Sequence, residues 1–441
     1  MNSPKVMNRW LVVAGGIVVQ VCLGAIYAWS AFTAKLTAEP YAFTKTQTQV
    51  IFSVGLLTFA VVMALVAGRW QKKSGPRVVT LTGGLVLGLG YLVAGFGGSS
   101  FAVILLGIGI LGGAGIGLAY VCPIAALVKW FPDKKGMITG LAVAGFGFGA
   151  LIWVKLTGGF AFGPVDLTPG WKGLYGMGWT VNQVFLLYGV LFAVLVGVGS
   201  LVMVNPPAGY QPEGWAPPAA TATSGGVVFW PSEMVRTAQF WELFVIFTVG
   251  ALAGLMVIGI ISLFGIDALT ANGMPKEQAT VVAATAMGLF YALCNGLGRI
   301  IWGTVSDKLG RKHSIALMSL IQGIVMILFY FMGGVEWGLY LCAALIGFNF
   351  GGNFALFPAI TADLFGNQNI GVNYPWVFMA YGVGGVVGPI LGGIMGDSGA
   401  WAGALIPAGV ACLAAAVVAM ALHPPTKAKP VEVVEAKPAP A

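Results

Sequence analysis

Long uninterrupted runs of apolar residues restrict most strongly how this chain can fold. A helix needs about 20 apolar residues to cross the hydrocarbon core of a bilayer. The runs are continuous, whereas strands of membrane barrels alternate between apolar and polar residues. Reading along the chain gives twelve of them, at about 10–33, 48–70, 77–98, 101–128, 137–160, 182–204, 240–266, 278–305, 313–333, 337–362, 371–396 and 401–422. The sequence therefore predicts an all-α integral membrane protein with twelve transmembrane helices.

Charged residues are too few to form a water-soluble surface. They make up 8% of the chain, against about 25% in an ordinary soluble domain. This low content of charge excludes a soluble enzyme and a nucleic-acid-binding protein. We therefore expect the lipid bilayer to be a partner of the chain. The two histidines and five cysteines form no cluster, and a phosphate-binding ATPase loop of the form GxxxxGK[ST] does not occur. We expect no cofactor, no metal and no enzymatic activity.

A stretch rich in Pro, Gly and Ala separates the apolar runs into two sets of six. We predict an N-terminal six-helix half over 1–204, a cytoplasmic connector over 205–239 and a C-terminal six-helix half over 240–422. Residues 423–441 have the composition of a disordered cytoplasmic tail.

The distribution of Lys and Arg predicts the orientation. With the N-terminus inside, sixteen cations fall on the cytoplasmic side and five on the outer side. Cytoplasmic loops carry the excess of positive charge in membrane proteins. We therefore expect both termini in the cytoplasm and the chain in the cell (inner) membrane.

A loop sequence recurs after the second run of each half. It reads GRWQKKSGPR from Gly68 and GTVSDKLGRK from Gly303. The second copy resembles the loop signature of the major facilitator superfamily, carried here by Gly303, Asp307, Lys308, Gly310 and Arg311. Lys72 replaces the aspartate in the first copy, so the sequence does not predict the corresponding contact in the first half. Plain retention of positive charge inside is the alternative interpretation of both copies.

The segment between the fourth and fifth apolar runs indicates which branch of this superfamily the chain resembles. It reads KWFPDKKG over 129–136, includes Asp133, and precedes the glycine-rich MITGLAVAGFGFG. This resembles bacterial oxalate/formate antiporter-like carriers, which are relatives of the monocarboxylate transporters. The likeness covers nearly all twelve runs. It implies the major facilitator fold with two pseudo-symmetric halves, and a protein that usually works as a monomer.

Arg299 lies deep in the eighth run. It is eight residues before Asp307, which places it about 12 Å along a helix from the cytoplasmic end. A charge at membrane depth costs about 2.5–3.5 kcal/mol on insertion scales, and we find no carboxylate in the middle of another run to neutralise it. We predict that Arg299 faces a central cavity and binds an anion through its planar fork. A structural arginine that caps helix carbonyls or reaches the interface is the alternative.

The resemblance implies further site residues. In these carriers an arginine in an N-G-x-x-R setting binds the substrate carboxylate, and the setting here is Asn295 to Arg299. Animal monocarboxylate transporters have aspartate at the position of Asn295, so a carboxylate proton carrier is missing. Tyr381 stands where the oxalate exchanger has a second cation, a lysine, and this favours substrates with one carboxylate. Tyr27 and Tyr120 match tyrosines of the family.

Polar and aromatic residues alternate on the tenth run. Asn349 and Asn353 are one turn apart, with Phe350 and Phe354 beside them. We predict that these four residues form a wall of the site suited to a short alkyl chain. Packing and amide contacts between helices are the alternative.

These patterns predict a secondary transporter of small monocarboxylates, such as lactate or related 2-hydroxy and short-chain acids. It would work by alternating access around a site near the membrane midplane. Proton symport is the expected coupling, with protons and the acid anion as partners. An anion exchanger of the oxalate/formate type is the alternative.

Overall fold

The computed structural model describes residues 7–133, 135–158, 172–207, 210–212, 228–366 and 369–425, and these residues form helices but no strands. Residues 208–209 and 213–227 of the predicted connector and 426–441 of the predicted tail lie outside them. The boundaries proposed for the two halves, the connector and the tail stay predictions.

Eleven helical runs in the described part of the chain are long and apolar enough to cross a membrane. The first half consists of α1 (Arg9–Leu36), α2 and α3 (together Lys45–Phe96), α4 (Phe101–Trp130), α5 (Lys135–Gly158) and α6 (Val181–Ser200). The second half consists of α7 (Ala238–Ala271), α8 (Lys276–Leu309), α9 (Arg311–Met332), α10 (Glu336–Phe365), α11 (Ile370–Asp397) and α12 (Ala402–Ala421).

The run Lys45–Phe96 contains two crossing helices. It has 52 residues, which would extend for about 78 Å as one straight helix, more than twice the hydrocarbon thickness. Its geometry breaks at Gly75, with φ 78° and ψ 165°. A positive φ of this kind is readily adopted only by glycine. Gly75 therefore divides α2 from α3, and the prediction of twelve transmembrane helices is confirmed.

The loop repeat found in the sequence has a structural counterpart. Gly310, at the position equivalent to Gly75, has φ 86° and ψ 147° and separates α8 from α9. Both copies therefore use a glycine with positive φ to turn the chain between the second and third helices of a half. The two six-helix halves are related in this respect, as the sequence predicted.

The charged loop residues form a clasp in the second half. The guanidinium of Arg311 contacts Asp307 at 2.5 Å and Asp363 at 3.7 Å, and it also donates to Ser306 and to the carbonyl oxygen of Gly303. This ties the end of α8 to the start of α9 and the end of α10. Lys308 is exposed beside it.

The first half uses different contacts. Lys72, at the position of the aspartate, is exposed, and Arg77 donates to the carbonyl oxygen of Leu201 at the end of α6. Asp133 instead pairs with Arg9 at 2.8 Å, which joins the loop after α4 to the start of α1. The motif residues thus have structural contacts in both halves, but with different partners.

The two halves meet along two main seams. α2 packs against α11, and α5 packs against α8. We call the face where α1 begins and α12 ends the terminal face, and the opposite one the distal face. The seams bring the middle of α1, α5, α8 and α11 together between the two faces, and the predicted site residues lie there.

Candidate substrate-binding site

Arg299 is buried where α8 faces α5, with 1% of its surface exposed. Its Nε donates to Asn295 Oδ1 at 3.1 Å, and its Nη1 donates across the seam to the carbonyl oxygen of Val143 at 2.9 Å. The guanidinium carbon lies 4.0 Å from the centre of the Phe354 ring, a geometry in which the ring face attracts a cation. The sequence left a structural role, in which Arg299 caps helix carbonyls, as an alternative to anion binding. The structure shows one such carbonyl contact in addition to the deep burial.

Two hydrogen-bond donors at this position have no partner among the described residues. They are Nη2 of Arg299 and Nδ2 of Asn295. None of the ion pairs in the described part of the chain includes Arg299. A buried donor without a partner costs about 1–3 kcal/mol, and more when it is charged. A carboxylate accepts hydrogen bonds on two oxygens, so it complements such a pair of donors.

Three predicted tyrosines lie beside the arginine. Tyr27 of α1 and Tyr381 of α11 are buried, and their hydroxyl oxygens are 3.1 Å apart across the seam. Tyr120 joins them through Phe146, whose ring centre lies 5.2 Å from that of Tyr120 and 5.8 Å from the guanidinium carbon of Arg299. The structure therefore brings Arg299, Asn295 and the three tyrosines together, although they come from four different helices.

Two of the phenylalanines that the sequence did not single out also pack in the cluster. Phe146 of α5 has its ring centre 4.9 Å from that of Tyr27 and 5.2 Å from that of Tyr120. Phe378 of α11 stacks on Tyr381 at 4.8 Å. The glycine-rich stretch of α5, to which Phe146 belongs, was the feature of the sequence that pointed to this part of the site. The spacing of its glycines did not show which face of α5 meets α8.

The predicted wall on α10 divides into two environments. Phe350 and Phe354 face the site, since Phe350 lies 5.7 Å from Tyr27 and Phe354 lies against Arg299. Asn349 and Asn353 instead line a small cavity of about 10 Å³ among α7, α9, α10 and α12. Asn349 Oδ1 accepts from Trp302 Nε1 at 3.2 Å. The structure does not bring the two asparagines to the arginine.

A glycine permits the close approach of α5 to α8. A Cβ atom on Gly147 would lie 2.7 Å from Asn295 Oδ1 and 3.1 Å from Arg299 Nε. The first distance is shorter than real Cβ atoms tolerate, so any side chain there would displace the pair. Gly147 thus allows Arg299 of α8 to reach the carbonyl oxygen of Val143, which lies on α5 as Gly147 does.

The predicted central cavity is closed in this structure. The aromatic side chains fill the space between the halves, and Tyr27, Tyr381 and Arg299 are each no more than 1% exposed. Binding of a substrate to Arg299 would require the halves to separate at the Tyr27–Tyr381 contact and at the α5–α8 seam.

Charged groups also join the halves at the distal face. Lys45, the first residue of α2, pairs with Asp267 of α7 at 2.5 Å. Asp397 at the end of α11 accepts from the backbone nitrogens of Lys45 and Thr46 at 2.6 and 3.0 Å. A carboxylate at a helix N-terminus is favoured by the helix dipole. We call Lys45, Thr46, Asp267 and Asp397 the distal lock.

Comparison with known proteins agrees with this architecture. The sequence profile of the Major Facilitator Superfamily matches residues 15–292 and 269–441, nearly the whole chain. The chain belongs to the Major Facilitator Superfamily. It is therefore a multi-pass membrane protein with the twelve-helix fold of that family, and its activity is secondary transport.

Three relatives are similar over most of their length. The uncharacterized MFS-type transporter YhjX of Escherichia coli (strain K12) is 30% identical over 86% of both chains. The apicoplast pyruvate carrier 1 of Toxoplasma gondii is 27% identical over 84% of this chain and 81% of the relative. The oxalate:formate antiporter of Oxalobacter formigenes is 26% identical over 91% of this chain and 90% of the relative.

The resemblance to oxalate/formate antiporter-like carriers is thereby confirmed. The expectation of a protein that is not an enzyme also agrees with these relatives, which are transporters by name.

Proposed function

We propose that this chain transports small monocarboxylates, such as lactate or other 2-hydroxy and short-chain acids, and that Arg299 is the anchor for the carboxylate. The single observation that carries the proposal is the buried guanidinium whose Nη2 has no partner within the part of the chain that the structure describes, beside the amide Nδ2 of Asn295 that also has none there. An arginine offers its donors in a fixed fork that matches the two oxygens of one carboxylate.

The surrounding residues supply the other interactions that such an acid needs. Tyr27, Tyr120 and Tyr381 offer hydroxyl donors for the carboxylate or for a 2-hydroxyl group. Phe350 and Phe354 offer an apolar surface for a short alkyl chain. When the halves separate, a carboxylate oxygen takes the place that the Val143 carbonyl oxygen has at Nη1 in the closed form.

Charge favours one carboxylate over two. Arg299 is the only Lys or Arg that the structure places in this cluster within the described residues. The second carboxylate of a dianion would be buried without a cation, and such a charge costs several kcal/mol. The pyruvate carrier is a relative whose name specifies a monocarboxylate.

Proton symport is the proposed coupling. An anion that enters against an inside-negative potential of 100 mV is opposed by about 2.3 kcal/mol, and a proton that travels with it removes this cost. Asn295 cannot carry the proton, so the proton would travel on the substrate or on its contacts with tyrosine and Arg299. We further propose a monomer in the cell (inner) membrane with the terminal face in the cytoplasm, as the Lys and Arg distribution favours.

Anion exchange is the second candidate function. The name of the oxalate:formate antiporter and the amide at position 295 both favour it, since an exchanger needs no proton-carrying carboxylate.

Replacement of Arg299 by lysine tests the anchor. We expect Arg299→Lys to insert and fold but to lose at least nine-tenths of labelled lactate uptake into proteoliposomes, because an ammonium cannot form the two-point contact. Lys155→Arg, a charge-conserving change near the distal end of α5, is the control. Uptake by Arg299→Lys at the wild-type rate would remove Arg299 from the role of anchor.

An imposed pH gradient separates symport from exchange. With the outside acidic, symport predicts uphill accumulation of lactate that an uncoupler abolishes. Accumulation that depends only on a preloaded anion and is indifferent to pH would favour the exchanger.

A further inference from the structure

A second and larger cavity opens at the distal face between the halves. Its volume is about 250 Å³, and since one water occupies about 30 Å³ of liquid, a three- or four-carbon acid fits with part of its hydration. α1 and α5 border it from the first half, at Ser30 and Val154. α7 and α8 border it from the second half, at Ser262 and Thr280.

Two cations line this cavity. Lys35 of α1 and Lys172, just before the short helix Gly173–Gly176, both border it, and no Asp or Glu is among the described residues that do. Neither lysine takes part in an ion pair in the described part of the chain. The Lys35 ammonium lies 5.5 Å from the centre of the Tyr175 ring, a neutral group that does not cancel its charge.

Two residues that line the cavity have a buried hydroxyl group without a hydrogen-bond partner among the described residues. These groups are Ser30 Oγ and the hydroxyl of Tyr175. Ser30 itself is 1% exposed. Burial raises the pKa of Tyr175 well above its usual value, so this hydroxyl keeps its proton and can donate. Hydroxyls of this kind, on residues that line the cavity together with two ammonium groups, complement an anion.

The cavity lies next to the closed central cluster. Ser30 is three residues after Tyr27 on α1, so the floor of the cavity is about 4.5 Å along the helix from the Tyr27–Tyr381 contact. An anion held there would be on the distal side of the aromatic closure that covers Arg299.

From these observations we propose a second anion-binding site, formed by Lys35, Lys172, Ser30 and Tyr175, that takes a small carboxylate from the distal side before the halves open to Arg299. It rests on the proposed function of the chain as a carboxylate carrier, but it is a separate site with its own residues. Its two ammonium groups raise the local concentration of anions at the entrance, an effect that salt weakens.

Amine labelling detects this site without transport. Purified protein is treated with an amine-reactive reagent, and modification of Lys35, Lys172 and Lys276 is followed by mass spectrometry with L-lactate or with sodium chloride at the same ionic strength. Lys276 is exposed at the start of α8 and does not line the cavity. We expect lactate to slow modification of Lys35 and Lys172 about threefold or more relative to chloride, and to leave Lys276 unchanged.

The variant Arg299→Gln distinguishes this site from the central one. Protection of Lys35 by lactate should persist in it, because the cavity does not include Arg299. Protection that is lost in Arg299→Gln would show that lactate acts through the central site; this overturns the second site and leaves the proposed function intact. Equal labelling with lactate and chloride in the wild-type protein also overturns it.

Transport kinetics supply an independent measurement. Lys35→Gln and Lys172→Gln alter exposed side chains, so we expect normal folding. Each should raise the KM for lactate presented at the distal face about three- to fivefold at low ionic strength, with kcat unchanged and a smaller effect in high salt. Lys276→Gln removes the same charge outside the cavity and should keep the wild-type KM. If all three variants behave alike, or if kcat falls while KM stays constant, the proposal is wrong.

Discussion

The contact of Gly147 with the Asn295–Arg299 pair allows a quantitative prediction for Gly147→Ala. The added Cβ would lie 2.7 Å from Asn295 Oδ1 and 3.1 Å from Arg299 Nε, so the hydrogen bond between them must break or α5 must move away from α8. A hydrogen bond with one charged partner contributes about 1.5–3 kcal/mol. Because 1.4 kcal/mol corresponds to a tenfold change, the closed form should become about ten- to 150-fold less populated relative to open forms.

Gly140→Ala is the matched control for this variant. It introduces the same residue into the same helix, and a Cβ there has no neighbour within 4 Å among the residues that are described. Both variants gain the higher helix propensity of alanine, about 0.5–1 kcal/mol, so this contribution cancels in the comparison.

The assay is the initial rate of labelled lactate uptake into proteoliposomes with equal amounts of inserted protein. Passage between the two open forms goes through the closed form in alternating access. We therefore expect Gly147→Ala to reduce kcat at least fivefold and Gly140→Ala to retain the wild-type value. Equal rates for the two variants would refute the role of the α5–α8 approach in the cycle.

Two further changes have defined expectations. Tyr381→Lys adds a second cation beside Arg299, so oxalate should compete against labelled lactate at least tenfold more strongly than in wild type while lactate transport weakens; equal competition in Tyr381→Lys, Tyr381→Phe and wild type would show that this side chain does not face the substrate. Asp397→Asn weakens the distal lock, whose exposed charges contribute at most about 1 kcal/mol. The measurement combines Asp397→Asn with Ser53→Cys in a protein without its native cysteines. A thiol reagent added at the distal face should modify the introduced thiol about two- to fivefold faster than it does when Asp397 is kept. An unchanged rate would mean that Asp397 does not hold α2 against α11.

The sequence predicted most of what is local along the chain. The twelve helices follow from continuous apolar runs, and Arg299 stands out because a single cation interrupts such a run. The structure lengthens several helices beyond the apolar runs, as in α7, which extends to Ala271. Polar helix ends lie outside the hydrocarbon, so hydropathy does not mark where such helices stop.

Contacts between distant segments could not be predicted in the same way. The Val143 carbonyl oxygen that Arg299 binds is 156 residues away in the chain, and choosing it requires knowing which face of α5 meets α8. On α10, Asn349 and Phe350 are neighbours in sequence, yet about 100° of helical rotation separates them. Nearly every residue of α10 is compatible with the membrane interior, so polarity does not reveal which face is turned toward the site.

The burial of Arg299 also has a consequence for the step in which the unloaded carrier resets. Under the proposed proton symport the loaded core holds the acid anion and its proton, so its net charge equals that of the unloaded core. The loaded guanidinium has a carboxylate beside it, however, whereas the unloaded carrier must close around a guanidinium charge without one, which costs electrostatic self-energy. The Val143 carbonyl oxygen, Asn295 Oδ1 and the face of Phe354 act as internal counter-dipoles that lower this self-energy. They replace the solvation of the ion only in part. If Arg299 anchors the acid as proposed, we therefore expect the reset of the unloaded carrier to be the slow half of the cycle, and an acid on the far side of the membrane to accelerate turnover by returning with the carrier.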